Sequence, residues 1–422
     1  MTTDSGMSSP FPNELVDIVI RQLAAEEDSK FLSAAALVNR NTASIVRKLR
    51  FSVLALGPHR GEERCARLWD LIQTNPTLVH NVESLTLIDD SSEADEVNAP
   101  SCGWVTTDST YTKLGDVLKA LAGNLTTLEV QSSCLQWHYV EEDVQEALFD
   151  LFAAPTLTTL RLVGILGMEI TPILDCSNLK RLSLKRVTII ENEEDLEAEE
   201  ETRPDGEVGQ LEVLEVVESD EWAFYFLVSS LLRADAKLSL RNLQRLVIAM
   251  ENPRKSSPNT TVLDKALDQL AGIPLNSLRV EHASHPSFQI DQRTCVFTRW
   301  PNLRSLEIAV KPLNGVESWI SPVSQALHRM RALEDLTLEV DHSDLRPHAT
   351  QRIGVWQELE SVLMLRDSFR RLVVIINMDK SLQEHAAMED TLKSCMSSLF
   401  KDGKVQVIVK WRHVQMKTSR AV

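Results

Sequence analysis

One six-residue phrase, apolar-x-x-Leu-x-apolar, recurs ten times along the chain and constrains its fold more than any other feature. It appears as Val82-Glu-Ser-Leu85-Thr-Leu87, Leu125-Thr-Thr-Leu128-Glu-Val130, Leu157-Thr-Thr-Leu160-Arg-Leu162 and Leu179-Lys-Arg-Leu182-Ser-Leu184. Leu211-Glu-Val-Leu214-Glu-Val216, Leu243-Gln-Arg-Leu246-Val-Ile248 and Leu275-Asn-Ser-Leu278-Arg-Val280 continue the series. Leu303-Arg-Ser-Leu306-Glu-Ile308, Leu333-Glu-Asp-Leu336-Thr-Leu338 and Phe369-Arg-Arg-Leu372-Val-Val374 complete it, and Val405-Gln-Val-Ile-Val409 reads as a closing strand. Four of the nine intervals between phrases are 32 residues. Each phrase ends in Leu-x-apolar alternation, the pattern of a strand with one buried face.

Between phrases the period turns helical. Residues 261–271 set Val262, Leu263, Ala266, Leu267 and Leu270 on one side, with Gly272 suited to a left-handed helix end and Pro274 after it. Residues 113–122 repeat this with Leu114, Val117, Leu118, Leu121 and a closing Gly123. Val144, Ala147, Leu148, Leu151 and Phe152 make a third case before Pro155. The expected class is α/β, each unit a strand followed by a helix or an irregular return. An element with one apolar face cannot bury it alone, so the units must stack.

These residues resemble leucine-rich repeats, over roughly residues 80–375. The resemblance implies an irregular solenoid with a parallel sheet on its concave face and helices or loops on the convex face. The family carries Asn or Cys three residues past the last apolar strand position. Here that place holds Asp90, Ser133, Ile165, Val187, Ser219, Glu251, Ala283, Lys311, Asp341 and Asn377, so no regular amide ladder is expected. Residues 190–209 carry Glu191, Glu193, Glu194, Asp195, Glu197, Glu199, Glu200 and Glu201 with almost no apolar face, and are expected to be a disordered acidic loop. Residues 89–100 form a smaller acidic insertion that begins at Asp89. Gly164-Ile-Leu-Gly167 is expected to be a plain turn.

Residues 11–50 lie outside the repeat. Pro12 and Glu14 suit the first turn of a helix, and Leu15, Ile18, Val19 and Leu23 share one of its faces. A short helix over 31–36 and another over 42–49 follow. Three small helices ahead of a leucine-rich array resemble an F-box, through Phe11-Pro12-x-Glu14-Leu15, Ile18-Val19, Leu23 and Leu37-Val38-x-Arg40. The usual opening Leu is Phe11, and the aromatic residue normally found after the Arg is missing. The domain order expected is thus a disordered 1–10, an F-box-like unit at 11–50, a solenoid at 51–410 and a tail at 411–422.

That resemblance implies a Skp-type adaptor of a cullin–RING ubiquitin ligase as partner, held by Phe11, Pro12, Leu15, Ile18, Val19, Leu37 and Val38. Ile18 and Leu23 are the residues that an internal-core reading would claim instead. The solenoid would hold an unidentified target protein. Strand alternation points Thr86, Glu129, Arg161, Ser183, Glu215, Val247, Arg279, Glu307, Thr337 and Val373 to the concave side. Arg161, Arg181, Lys185, Arg245, Arg279 and Glu307 are the candidate target contacts. Two alternatives stand beside this: a leucine-rich scaffold whose first helices only cap the array, and a parallel α/β enzyme.

Composition narrows the other classes. With 44 Lys+Arg against 61 Asp+Glu, the net charge is −17, which opposes binding a phosphate backbone, and no nucleic acid is expected. The first ten residues lack a basic start and an apolar run, so no signal peptide is read there. No apolar run nears the roughly 18–20 residues that span a bilayer, so no membrane partner is expected. Six scattered cysteines without a CxxC pair suit a reduced compartment, cytoplasmic or nuclear. With 14 glycines and neither GxGxxG nor GxxxxGK[ST], no phosphate loop, cofactor or enzyme activity is expected. His282-x-x-His285 and Asp341-His342-x-Asp344 read as surface turns, not a metal site.

Overall fold

The structure, a computed structural model, describes residues 18–20, 29–58, 60–89, 103–106, 109–190, 208–233, 236–250, 261–281, 299–309, 317–341, 350–378, 389–390 and 392–411. It is a mixed α/β fold with a long, unclosed parallel sheet of twelve strands taken in chain order. The strands are β1 Val53–Leu56, β2 Ser84–Asp89, β3 Thr127–Gln136, β4 Thr159–Leu166, β5 Arg181–Lys185 and β6 Val213–Ser219. They continue with β7 Arg245–Met250, β8 Ser277–Glu281, β9 Ser305–Ala309, β10 Asp335–Asp341, β11 Arg371–Met378 and β12 Val405–Trp411. Among the described residues the longer helices are α1 Ser29–Ala35, α2 Arg40–Ser52, α3 Gly61–Thr74, α4 Leu114–Leu121, α5 Glu142–Phe152, α6 Glu221–Leu231, α7 Thr261–Gln269, α8 Glu317–Leu327 and α9 Thr350–Met364. The chain divides into two compact units, Met1–Ile165 and Leu166–Val422.

In the first unit, Leu54, Leu85 and Leu128 stand in register across β1, β2 and β3, and Leu56, Leu87 and Val130 form the next row. In the second, Leu182, Leu214, Leu246, Leu278, Leu306, Leu336 and Leu372 form one row, with Leu184, Val216, Ile248, Val280, Ile308, Leu338 and Val374 beside it. The residues that open the phrases add a third sealed row; Leu125, Leu179, Leu211, Leu303 and Leu333 are all fully buried. A slip of one residue would turn whole rows outward, so burial itself enforces the register.

A second device repeats at several strand starts. The carbonyl at the phrase's second position accepts two backbone N–H groups from the next phrase. Glu83 O accepts from Thr126 and Thr127, Glu212 O from Gln244 and Arg245, and Glu334 O from Arg370 and Arg371. This satisfies backbone donors that would otherwise be buried where the ladder begins.

Several expectations are corrected. A strand not foreseen, β1, forms the last four residues of Phe51-Ser-Val-Leu54-Ala-Leu56, the same phrase set 31 residues before Val82. Gly123 and Gly272 are not left-handed. At these two ends Leu121 O accepts from Asn124 and Leu125 N–H, and Leu270 O from Ile273 N–H. Gly164 is no plain turn but lies within β4 at φ 69°, where a Cβ would stand 2.0 Å from the Ser132 carbonyl oxygen.

The ends of the acidic segment 190–209 are strands. Ile189–Ile190 pairs with Met168–Glu169, and Gly209–Gln210 with Leu238–Ser239; residues 191–207 lie outside the described set. Asp89 belongs to the core rather than to the insertion, since its buried carboxylate accepts from the Val105 N–H at 3.2 Å. Trp411 closes β12 instead of starting the tail.

The strands β2, β3 and β6 each carry a buried polar side chain. Asp89 and Ser132 lie two residues past the last apolar strand position, not three, because alternation returns to the inner side after two. Ser219 joins them through an irregularity at Glu218, which has φ 53°, so that Ser219 rather than Glu218 pairs with Met250. Its hydroxyl then accepts from the Val187 N–H at 3.1 Å.

Candidate interaction surfaces

The N-terminal helices are built around a small core. Asn39 caps α2 by accepting from Thr42 N–H at 2.8 Å, while Thr42 Oγ1 accepts in return from Asn39 N–H at 3.1 Å. Ile20, Ala35 and Val46 are buried together, with Leu32, Ala36, Ile45 and Leu49 packed partly against them. The helical residues Ile18 and Val19 are 60% and 54% exposed, and Leu37 and Val38, on the turn after α1, are 87% and 71% exposed. The Ala34 and Ala35 carbonyls accept from Leu37 and Val38 N–H, which fixes that turn. Ile18 is therefore not the core residue that the internal reading makes it; Ile20 packs instead. Phe11, Pro12, Leu15 and Leu23 lie outside the described residues. Among the described residues of this segment, four large aliphatics, Ile18, Val19, Leu37 and Val38, are thus turned to water.

On the open side of the sheet in the first unit, Thr86 and Glu129 are half-buried and Arg161 is exposed. Gln131 Nε2 donates to Glu129 Oε1 at 2.6 Å.

In the second unit Arg181 and Arg245 are exposed, and Lys185 lies 3.7 Å from Glu218. Arg279 is the centre of a charged cluster. It reaches Glu307 at 2.5 Å, donates from Nε to Glu281 at 2.5 Å and lies 3.8 Å from Glu339. Glu339 also accepts from Asn377 Nδ2 at 3.1 Å and sits 3.5 Å from Lys410. Burial works against the Arg279 charge, yet Glu281, Glu307 and Glu339 together hold its pKa above the ordinary arginine value. Arg279 and Glu307, both expected to meet a target, thus pair first with each other. Val247 and Val373, expected on the concave side with the others, are buried; Val247 stands between Glu215 and Arg279 in register.

Burial pushes the Cys65 and Cys176 thiols up to about 12, away from the thiolate that acts as nucleophile or ligand. Among the described residues no group of three His, Cys, Asp or Glu could hold a metal ion, and no helix is long and apolar enough to cross a membrane. His282, His285, His342 and Asp344 lie outside the described residues. The sequence matches no protein-family model and no curated protein.

Proposed function

We propose that this chain is the substrate-recognition adaptor of a cullin–RING, SCF-type ubiquitin ligase, working in the cytoplasm or nucleus. Its N-terminal helices dock a Skp-type adaptor, and its sheet, as the concave face of an irregular leucine-rich-repeat solenoid, holds a target protein. The observation that carries the proposal is the outward turn of Ile18, Val19, Leu37 and Val38, the described members of the F-box-like set. Residues that served only to close a small helical unit would point at Ile20, Ala35 and Val46. In this reading the chain makes no bonds itself. It raises the rate of ubiquitin transfer by holding a target lysine near the charged enzyme, which replaces a bimolecular encounter with a local one.

A second reading, a scaffold whose first helices only cap the repeats, draws on the seam between α2 and the phrase that opens at Val82. Glu83 N–H donates to the Ser52 carbonyl, and Lys48 lies 3.6 Å from Glu83. Co-purification with a Skp-type adaptor separates the two. The wild-type chain should retain the adaptor, and the Leu37→Asp/Val38→Asp variant should lose it while melting at the wild-type temperature. Adaptor kept by both proteins, or held by neither, removes the ligase reading and leaves the cap.

A further inference from the structure

The strand β12 differs from the interior strands of its unit. Among the described residues it has a neighbouring strand on one side only. Its Val405, Val407 and Val409 stand in register with Leu372, Val374 and Ile376, which are sealed, yet the three valines keep part of their surface open. A seven-residue edge whose outer backbone groups meet no partner among the described residues is a template for another strand, and a half-covered apolar row beside it favours the same outcome.

The direction of the bare groups follows from one hydrogen bond. The Leu372 N–H donates to the Lys404 carbonyl. Backbone groups alternate along a strand, so Gln406, Ile408 and Lys410 turn theirs to β11, while Val405, Val407, Val409 and Trp411 turn theirs outward. A second β12 laid antiparallel about Ile408 sets Val407 opposite Val409 and Val405 opposite Trp411. All four carry outward backbone groups, as the narrow hydrogen-bonded pairs of an antiparallel join require. On the other face the same turn sets Gln406 opposite Lys410 and Ile408 opposite itself. No like charges meet, and the valine row runs on into its own copy. A shift of one residue would set outward groups against inward ones and lose this match.

We infer that β12 is a self-association edge, through which two copies of this chain pair antiparallel over residues 405–411 about a two-fold axis at Ile408. Each copy carries −17, so repulsion at long range opposes the encounter and added salt strengthens it.

Sedimentation equilibrium of the full chain at two salt concentrations, over low to high micromolar protein, tests this with two substitutions at the exposed Gln406. Gln406→Lys places a cation opposite Lys410 twice and weakens the dimer, and Gln406→Glu places a carboxylate there twice and tightens it. Each shift is about two- to thirtyfold, from the usual range for cross-strand pairs. Val407→Pro removes an outward N–H without touching the ladder to β11, and leaves a monomer. A chain that stays monomeric at every concentration, Gln406→Glu included, overturns the inference; cover of the edge by residues beyond Trp411 would give that result. A dimer whose constant ignores both Gln406 substitutions overturns it equally. Adaptor co-purification does not enter this measurement, so the two proposals stand or fall separately.

Discussion

The N-terminal helices and the repeat strands place their large aliphatics on opposite sides. Around α1 and α2, three residues form the buried core while Ile18, Val19, Leu37 and Val38 face water. Along β2 to β11, both strand rows and the phrase openers are sealed to within about 2% of their surface. The cause is geometric. An interior strand has a like neighbour on each side, so every apolar row is roofed by the next copy of itself. A helical unit of a few turns has too little interior for its own apolar residues, and the surplus must be exposed or meet another molecule.

Truncating one leucine on each side tests that contrast most severely. Leu128→Ala should cost about 2–5 kcal/mol in urea unfolding, since a sealed row leaves a cavity that cannot collapse. Leu37→Ala should change stability by less than about 0.5 kcal/mol. Equal losses would mean that the two regions are not packed differently at all.

Glycines sharpen the comparison within the repeats. Gly164→Ala forces a Cβ against the Ser132 carbonyl at a left-handed φ, and should lower stability by about 1–3 kcal/mol. Gly123→Ala meets nothing within 4 Å and should be neutral or stabilise by up to about 1 kcal/mol. Thermal melts of the two variants should move in different directions or by clearly different amounts.

Thiol labelling is the smallest effect and the simplest readout. The exposed Cys134 should react quickly with iodoacetamide at pH 8, whereas Cys65 and Cys176 should wait for unfolding. Peptide mass spectrometry reads the order. These two thiols also set a pH dependence. Their folded pKa, about 12, lies above the ordinary 9.0, so their contribution to stability is fully present below pH 9 and fades as pH rises toward 12. Rapid native labelling of Cys65 would show that the sealed core is open.

Much of the strand framework was legible in the phrase itself, because alternation with period two is local and needs no partner to be seen. The helices α4, α5 and α7 were legible for the same reason, through their 3.6-residue period. The strand β1 was readable too, since Phe51, Leu54 and Leu56 carry the phrase, but it follows directly on α2, and the phrase's first two residues, Phe51 and Ser52, belong to the end of that helix. The candidate surfaces were legible only in outline. Alternation put Arg279 on the open face, yet its bonds to Glu281, Glu307 and Glu339 depend on which strands lie side by side and in what register. The burial of Asp89 and Ser132, two residues past the last apolar position of their phrases, was likewise not foreseen.

The sequence by itself determined where strands and helices lie and which residues turn inward, since both follow from the spacing of apolar groups along a few consecutive residues. Tertiary structure alone decided what happens to groups whose partners are distant in the chain. It seated Asp89 and Ser219 on backbone donors, closed Gly164 against Ser132, gathered three carboxylates around Arg279, and left Leu37 and Val38 in water. A polar or surplus apolar group has no preferred side until a neighbouring segment supplies a donor, a charge or a cover, and that neighbour is defined only once the strands are in register.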